Sequence, residues 1–417
     1  MKIQYVCRKC GKIHSKIEYE ESRFCKHCGS FLQSKFIEKI DKKSSESLKK
    51  QKSGDKILEN KLGLAHAVES LKQRVLQRKE YSIISETEQE TQSSMIDKMV
   101  IWNEDYDKAL KLQKKLCRKF RGKKLGEAIA GKVISNEQGE CYEISEKCNT
   151  TFNRTSYDES RKLIVSNLKI LYGIGPVWEQ RLKQKGYKTI EELQNHPIWK
   201  KSARDFMKVI ETKDLSLIQN FLWNRLPKSD PLLHHLAGFS DKDEDFAIID
   251  IETLGLSERP IILLGIAHPS KNQVCTKQYL LRDIQDEPSA IWSVVSQLES
   301  HHSLITYNGR SFDIPYIKQR LAYYGLNASL ENPHFDLLHF TRRALRHKLN
   351  DCKLDTVESY LGIKRQIDIP GALVPQFYDK YLKTKNVGPL VAIVEHNKQD
   401  LVSLGTLFSK LFEEWNS

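Results

Sequence analysis

The chain has 417 residues, of which 39% are hydrophobic and 29% charged, enough for two to four domains with sizeable cores. No apolar run approaches the roughly 18 residues that span a bilayer, and Met1 to Cys10 lacks the apolar core of a secretory signal, so the expectation is a cytoplasmic protein with no membrane contact. The net charge of +13 is unevenly spread: residues 1–240 carry 47 Lys and Arg against 31 Asp and Glu, whereas residues 241–417 carry 20 against 23. A polyanion such as nucleic acid is expected to meet the N-terminal part.

Residues 1–35 hold Cys7, Cys10, Cys25 and Cys28 as two Cys-x2-Cys pairs, with Gly11 and Gly29 directly after them. Four thiolates at this spacing predict one structural Zn2+, because a closed tetrahedral sphere leaves no position for a reacting water. Glycine suits the tight turn of each knuckle. The segment resembles a zinc ribbon. Nine cysteines is an odd count, which argues against a disulfide framework and leaves the other five as packing residues. Residues 36–94, rich in Lys, Ser, Glu and Gln, read as a charged linker, partly disordered.

Residues 95–160 read as a basic helix, with Lys111, Lys114, Lys115, Arg118 and Lys119 at its centre, followed by a β-hairpin turning at Asn136 to Gly139. Residues 161–233 return to helical spacing. Within them Leu-Tyr-Gly173-Ile-Gly175-Pro176 predicts a tight turn between two helices, with Pro176 in the first turn of the second. Thr189 and Glu192 form a capping box for the next. This stretch resembles a helix-hairpin-helix, in which glycine backbone N–H groups approach a phosphate without reading bases. Lys183, Lys185 and Lys188 would add charge, and a plain packing turn is the competing account.

Residues 240–417 alternate strand-like and helical runs, as an α/β domain does. The strand Phe246 to Ile251 carries Asp250 and Glu252 at i, i+2, so both project from one face. A second strand, Leu304 to Tyr307, leads into Asn308-Gly-Arg-Ser-Phe-Asp313, where Asp313 opens a helix and a simple N-cap competes as its role. A helix over Val391 to Phe408 places His396 and Asp400 one turn apart on one face. Singly, each has a structural explanation; together they resemble the DEDD superfamily of ribonuclease-H-like 3′ to 5′ exonucleases, with Asp250-Ile-Glu252, Asn308 to Asp313 and the Asp400 helix in the family's order. Cys352-Lys-Leu-Asp-Thr-Val-Glu358, Asp368-Ile-Pro-Gly371 and Glu395-His-Asn-Lys-Gln-Asp400 resemble its YprB-like branch.

The resemblance implies a ribonuclease-H-like mixed β-sheet flanked by helices, preceded by a helix-hairpin-helix region and an N-terminal zinc ribbon. It implies that Asp250, Glu252, Asp313 and Asp400 hold two Mg2+ or Mn2+ ions that activate a water and stabilise the leaving 3′ oxygen. His396 becomes the general base, although it stands at the family's tyrosine spacing while Glu395 takes the usual histidine spacing. Asn308 joins the nucleic-acid contacts; Arg342 and Arg343, clustered near one helical face, would guide a strand into the site, with a solvated face as the equal alternative, and Asp336 reads as a helix cap. The resemblance also points to a helicase partner on another chain. The expected activity is a DNA-directed 3′ to 5′ exonuclease in repair or processing. An RNA-processing exonuclease or endonuclease on the same fold, and a non-catalytic nucleic-acid-binding adaptor, are the rivals. No phosphate loop of the ATPase type is present.

Overall fold

The computed structural model describes the backbone of residues 2–7, 13–14 and 32–37, and residues 103–416 apart from 271, 299–301, 366 and 368. The chain divides into two units, 1–77 and 78–417. In the first, β1 (Lys2–Cys7) pairs antiparallel with both β2 (Ile13–His14) and β3 (Leu32–Ile37). Cys7 ends β1, while Cys10, Cys25 and Cys28 lie outside the described residues, as does nearly all of the expected linker.

The second unit is built on one seven-stranded mixed sheet. Its central strand is β6 (Phe246–Thr253), with antiparallel β7 (Ile261–Ser270) and then β8 (Gln273–Leu280) on one side. On the other side β9 (Ser303–Thr306) and β10 (His334–Asp336) run parallel to it. Parallel neighbours need a crossover, and α6 (Glu287–Val295) and α7 (Asp313–Tyr324) fill the connections before and after β9. The expected hairpin, β4 (Lys132–Asn136) and β5 (Gly139–Asn149), pairs through β5 with β8 and so extends this sheet. Asn136 Nδ2 fastens its turn to α6, donating to the Ser289 carbonyl at 3.0 Å and to Ser293 Oγ at 2.9 Å.

Alternation along β6 builds the core on both faces. Ala247, Ile249 and Ile251 enter one apolar cluster, and Phe246 and Ile248 enter another with Phe335 and Phe408. Between α6 and α7, Glu287 and Arg320 form a buried bidentate pair (2.5 and 2.7 Å) to which Ile261 N and Tyr324 Oη also donate. Such a pair is tolerated in the interior because the carboxylate's remaining lone pairs are used.

The longer helices described before β6 are α1 (Asn103–Lys119), α2 (Tyr157–Val165), α3 (Pro176–Gln184), α4 (Lys200–Glu211) and α5 (Leu215–Trp223). Gly173 has φ +84°, the left-handed backbone a turn here needs, and Pro176 is the first residue of α3. Two details differ from the sequence reading. The segment before the glycine turn is a 3-10 turn, Leu168–Ile170, and the box of Thr189 and Glu192 caps another short 3-10 turn, Glu192–Asn195. Asn167 explains the first, since its side chain accepts from Lys169 N and interrupts the helical run.

Beyond β10 the chain forms α8 (Leu337–Leu345), α9 (Leu354–Tyr360), α10 (Val374–Thr384) and α11 (Gly388–Asn416). Among the described residues no helix is long and apolar enough to cross a membrane.

Candidate active site

The carboxylates come from three elements that the sheet brings together. Asp250 and Glu252 stand near the end of β6, where the ladder to β7 slips between Glu252 and Thr253. β9 pairs with β6 only as far as Ile248, so Ile251 N lies beyond that pairing, and Asp313 Oδ1 accepts from it at 3.2 Å. That bond fixes the first residue of α7 against the central strand. The third element, α11, supplies His396, Asn397 and Asp400.

Asp250 depends on a side chain that the sequence reading named without a role. Asn397 Nδ2 donates to Asp250 Oδ2 at 2.7 Å and to its carbonyl at 3.1 Å, while Gln278 Nε2 on β8 donates to Asn397 Oδ1 at 2.9 Å. Asn397 reaches Asp250 across Gly265, the residue opposite Asp250 on β7. A Cβ at Gly265 would sit 2.4 Å from Asn397 Oδ1 and 2.8 Å from Leu401 Cδ1. Gly265→Ala should therefore cost about 1–3 kcal/mol of stability and displace Asn397 from Asp250. Chemical denaturation checks the first effect; an unchanged midpoint would show that α11 yields without strain.

Four carboxylates drawn into the protein interior disfavour ionisation through burial and mutual repulsion. Burial, then Asp400, Glu252 and Asp313, raise Asp250 well above the usual carboxylate range, and burial, then Asp400 and Asp313, do the same to Glu252. Asp313 is pushed up to about 7, chiefly by burial against the bonds from backbone N–H groups. Asp400 is raised by burial, against the pull of Arg365.

Arg365 is the cation the sequence reading missed. Its Nη2 lies 2.5 Å from Asp400 Oδ1, its Nε 2.5 Å from Glu358 Oε2 and its Nη1 3.0 Å from His396 Nδ1. Burial works against the guanidinium's charge, yet Asp400 and Glu358 hold its pKa above the ordinary value. A guanidinium only donates, so His396 Nδ1 is the acceptor and the neutral ring carries its proton on Nε2. That nitrogen lies 3.8 Å from both Glu252 Oε1 and Asp400 Oδ2.

The hard, oxygen-only donor set fits Mg2+ or Mn2+ in kind. Among the described residues, however, no three acidic, His or Cys groups already converge as a ligand cage. Arg365 on Asp400 and Asn397 on Asp250 take up oxygens such a cage would use.

The neighbouring residues sort themselves by partner. Glu395 turns away from the pocket, pairing at 2.8 Å with Lys398, which also holds Glu146 of β5 at 3.0 Å. His396 is thus the residue of the two beside the carboxylates. Asp336 caps α8 as expected through Leu338 N, and it also accepts from Asn308 N at 2.8 Å and Arg310 N at 3.1 Å. It therefore holds the loop that delivers Asp313, in which Asn308 adopts φ +66°. Arg342 and Arg343 are exposed on α8. Among the lysines near the glycine turn, Lys183 is paired with Glu179 at 3.2 Å, whereas Lys185 and Lys188 are exposed. His334 is a core histidine, bonded to Thr306 Oγ1 at 2.8 Å.

A domain with acids on a central strand, on a following helix and on a closing helix is of the ribonuclease-H-like class, and residues 247–412 match the family model of the RNase_H superfamily. The stretch is a ribonuclease-H-like domain. Among curated proteins, the chain is 36% identical over 193 residues to YprB of Bacillus subtilis (strain 168), covering 45% of this chain and 46% of that one. It is 28% identical to the PolC-type DNA polymerase III of Ureaplasma parvum serovar 3, covering 33% of this chain and 11% of the polymerase. The matches thus span less than half the length of each relative. Among solved structures, the family B DNA polymerase of Pyrobaculum calidifontis aligns with 40% of this chain and 24% of its own, at 16% identity and a TM-score of 0.32.

Proposed function

We propose that this chain is a metal-dependent nuclease, acting as a 3′ to 5′ exonuclease on DNA. One observation carries the reading: Asp250 and Glu252, Asp313 and Asp400, from three separate segments, are buried together, and Asp400 disfavours the charge of the other three. Carboxylates perturbed in this way concentrate at functional sites, where a bound cation relieves the repulsion. The PolC-type relative favours DNA as the substrate.

Asp250, Glu252, Asp313 and Asp400 would hold two Mg2+ or Mn2+ ions, which supply positive charge to acidify a water and to offset charge growing on the scissile phosphate. Asn397 orients Asp250, and the Ile251 N–H orients Asp313. Arg365 holds both Asp400 and Glu358, and for Asp400 to serve as a ligand the guanidinium would have to release it while keeping Glu358. Once Arg365 also leaves His396 Nδ1, the ring proton can shift there, and Nε2 is then able to accept a proton from water. The turn at Gly173 and Gly175, with Lys185 and Lys188, holds the backbone of the substrate. Cys7, Cys10, Cys25 and Cys28 carry one structural zinc.

The test uses end-labelled single- and double-stranded DNA and RNA with Mn2+, with chelator, and with Asp250→Ala. Stepwise shortening from 3′ ends, lost with chelator and in the variant, is the expected result. Arg365 seated on Asp400 favours a second reading, a nucleic-acid-binding adaptor that does not cut. Binding with no metal-dependent cleavage would establish that reading, and cuts within a circular strand would make the protein an endonuclease.

A further inference from the structure

We propose that the end of α5 and the loop after it form a track for an unpaired nucleic-acid strand, leading from the glycine turn to the carboxylate pocket. The destination rests on the nuclease reading; the track itself rests on a separate set of contacts. Tyr172, directly before Gly173, is 77% exposed, and the Arg225 guanidinium lies 5.2 Å from its ring centroid. Two residues before Arg225, Trp223 ends α5 with Lys228 Nζ at 5.0 Å and the Arg310 guanidinium at 3.9 Å from its ring. Arg310 is three residues before Asp313 on the loop that delivers that carboxylate. The glycine turn, the α5 loop and the loop that delivers Asp313 are therefore joined by alternating rings and cations.

These cations are gathered against their own repulsion. Among the described residues, no ion pair links Arg225, Lys228 or Arg310 to a carboxylate; Asp336, the acid that Arg310 feels, already accepts from the N–H groups of Asn308, Arg310 and Leu338. Lys228 is held below its ordinary pKa by burial and then by Arg310. His339, beside them, is lowered by burial and by Arg310, Arg342 and Lys228, with Asp336 opposing. Like charges assembled without partners suit a polyanion, and interleaved rings suit exposed base faces, which a duplex keeps stacked internally. The shared chemistry is an unpaired strand, either DNA or RNA.

Fluorescence anisotropy of the full chain in chelator tests this, using 5′-fluorescein single-stranded DNA, the matching RNA and duplex DNA across a salt series. Tyr172→Ala should weaken single-strand binding by about tenfold and leave duplex binding little changed. Arg225→Ala with Lys228→Ala should lower the slope of log affinity against log salt by about 1.4. The DNA and RNA arms identify which strand the track prefers. All three side chains sit at the surface or in a loop, and an unaltered thermal midpoint verifies folding. Wild-type affinity and slope in both variants would overturn the track, as would equal losses on single strand and duplex in Tyr172→Ala. A chain that cleaves with Mn2+ while the variants bind normally would lose the track but keep the nuclease reading. The reverse pattern would keep the track and remove the nuclease.

Discussion

Asp313→Asn should abolish cleavage, by about a thousandfold or more, and at the same time raise the thermal midpoint of the metal-free protein. On the proposed nuclease reading, the loss follows from removing one of the charged ligands, whose contribution would be several kcal/mol. The gain follows from burial: the Asp313 carboxyl is held up at about 7 because its charged form is penalised in the pocket. Between the ordinary value near 3.8 and about 7, the folded chain keeps a proton that the unfolded chain has released, so metal-free stability falls as pH rises through that window. An Asn amide has no charge to gain and its oxygen still accepts from Ile251 N, so the variant should lack the share of this decline that Asp313 contributes and fall less steeply than wild type. At pH 7 the difference is on the order of a few kcal/mol. Melting curves in chelator at several pH values read it directly. A variant less stable than wild type at every pH would mean that Asp313 is a structural cap and no more.

Arg365→Met should behave oppositely, costing about 3–5 kcal/mol without divalent ions because Asp400 and Glu358 remain buried with no counter-ion. The loss should be greatest at high pH, where both acids are charged. Mn2+ should restore much of it, and the apparent Mn2+ affinity from thermal titration should exceed that of wild type, since no guanidinium competes for Asp400. Equal midpoints for the two proteins in chelator would remove Arg365 from this account. A destabilised variant indifferent to Mn2+ would mark the arginine as part of the fold and the pocket as unable to take the ion.

How much of this was legible depends on how local the signal is. Asp250 and Glu252 could be read because an i, i+2 pair on an apolar strand fixes one face, and Asp313 and Asp400 because their motifs repeat a known order. The sequence favours His396 over Glu395 as the base, but spacing along the chain could not say where each of the two points. They are adjacent, one helical step rotates a side chain by about 100°, and only the placement of α11 sends Glu395 to Lys398 and His396 to the acids. Asp336 was legible as a cap, while its hold on the Asn308 to Asp313 loop was not, since that contact crosses from β10 to the connection after β9. Arg365 gave no signal beyond membership of a loop, and Glu358 stood in a recognised motif with no partner or role assigned.

The sequence by itself determined the alternation of strands and helices from residue 240 onward, the order of the acidic positions and the glycine turn before Pro176. These depend on spacing and backbone preference within a few residues. Tertiary structure alone decided that the hairpin at 132–149 extends the main sheet, that Gly265 leaves room for Asn397 to reach Asp250, and that Arg365 is the charge set against Asp400. Those outcomes are pairings across more than 30 residues, fixed by sheet register and helix crossing, which no local pattern encodes.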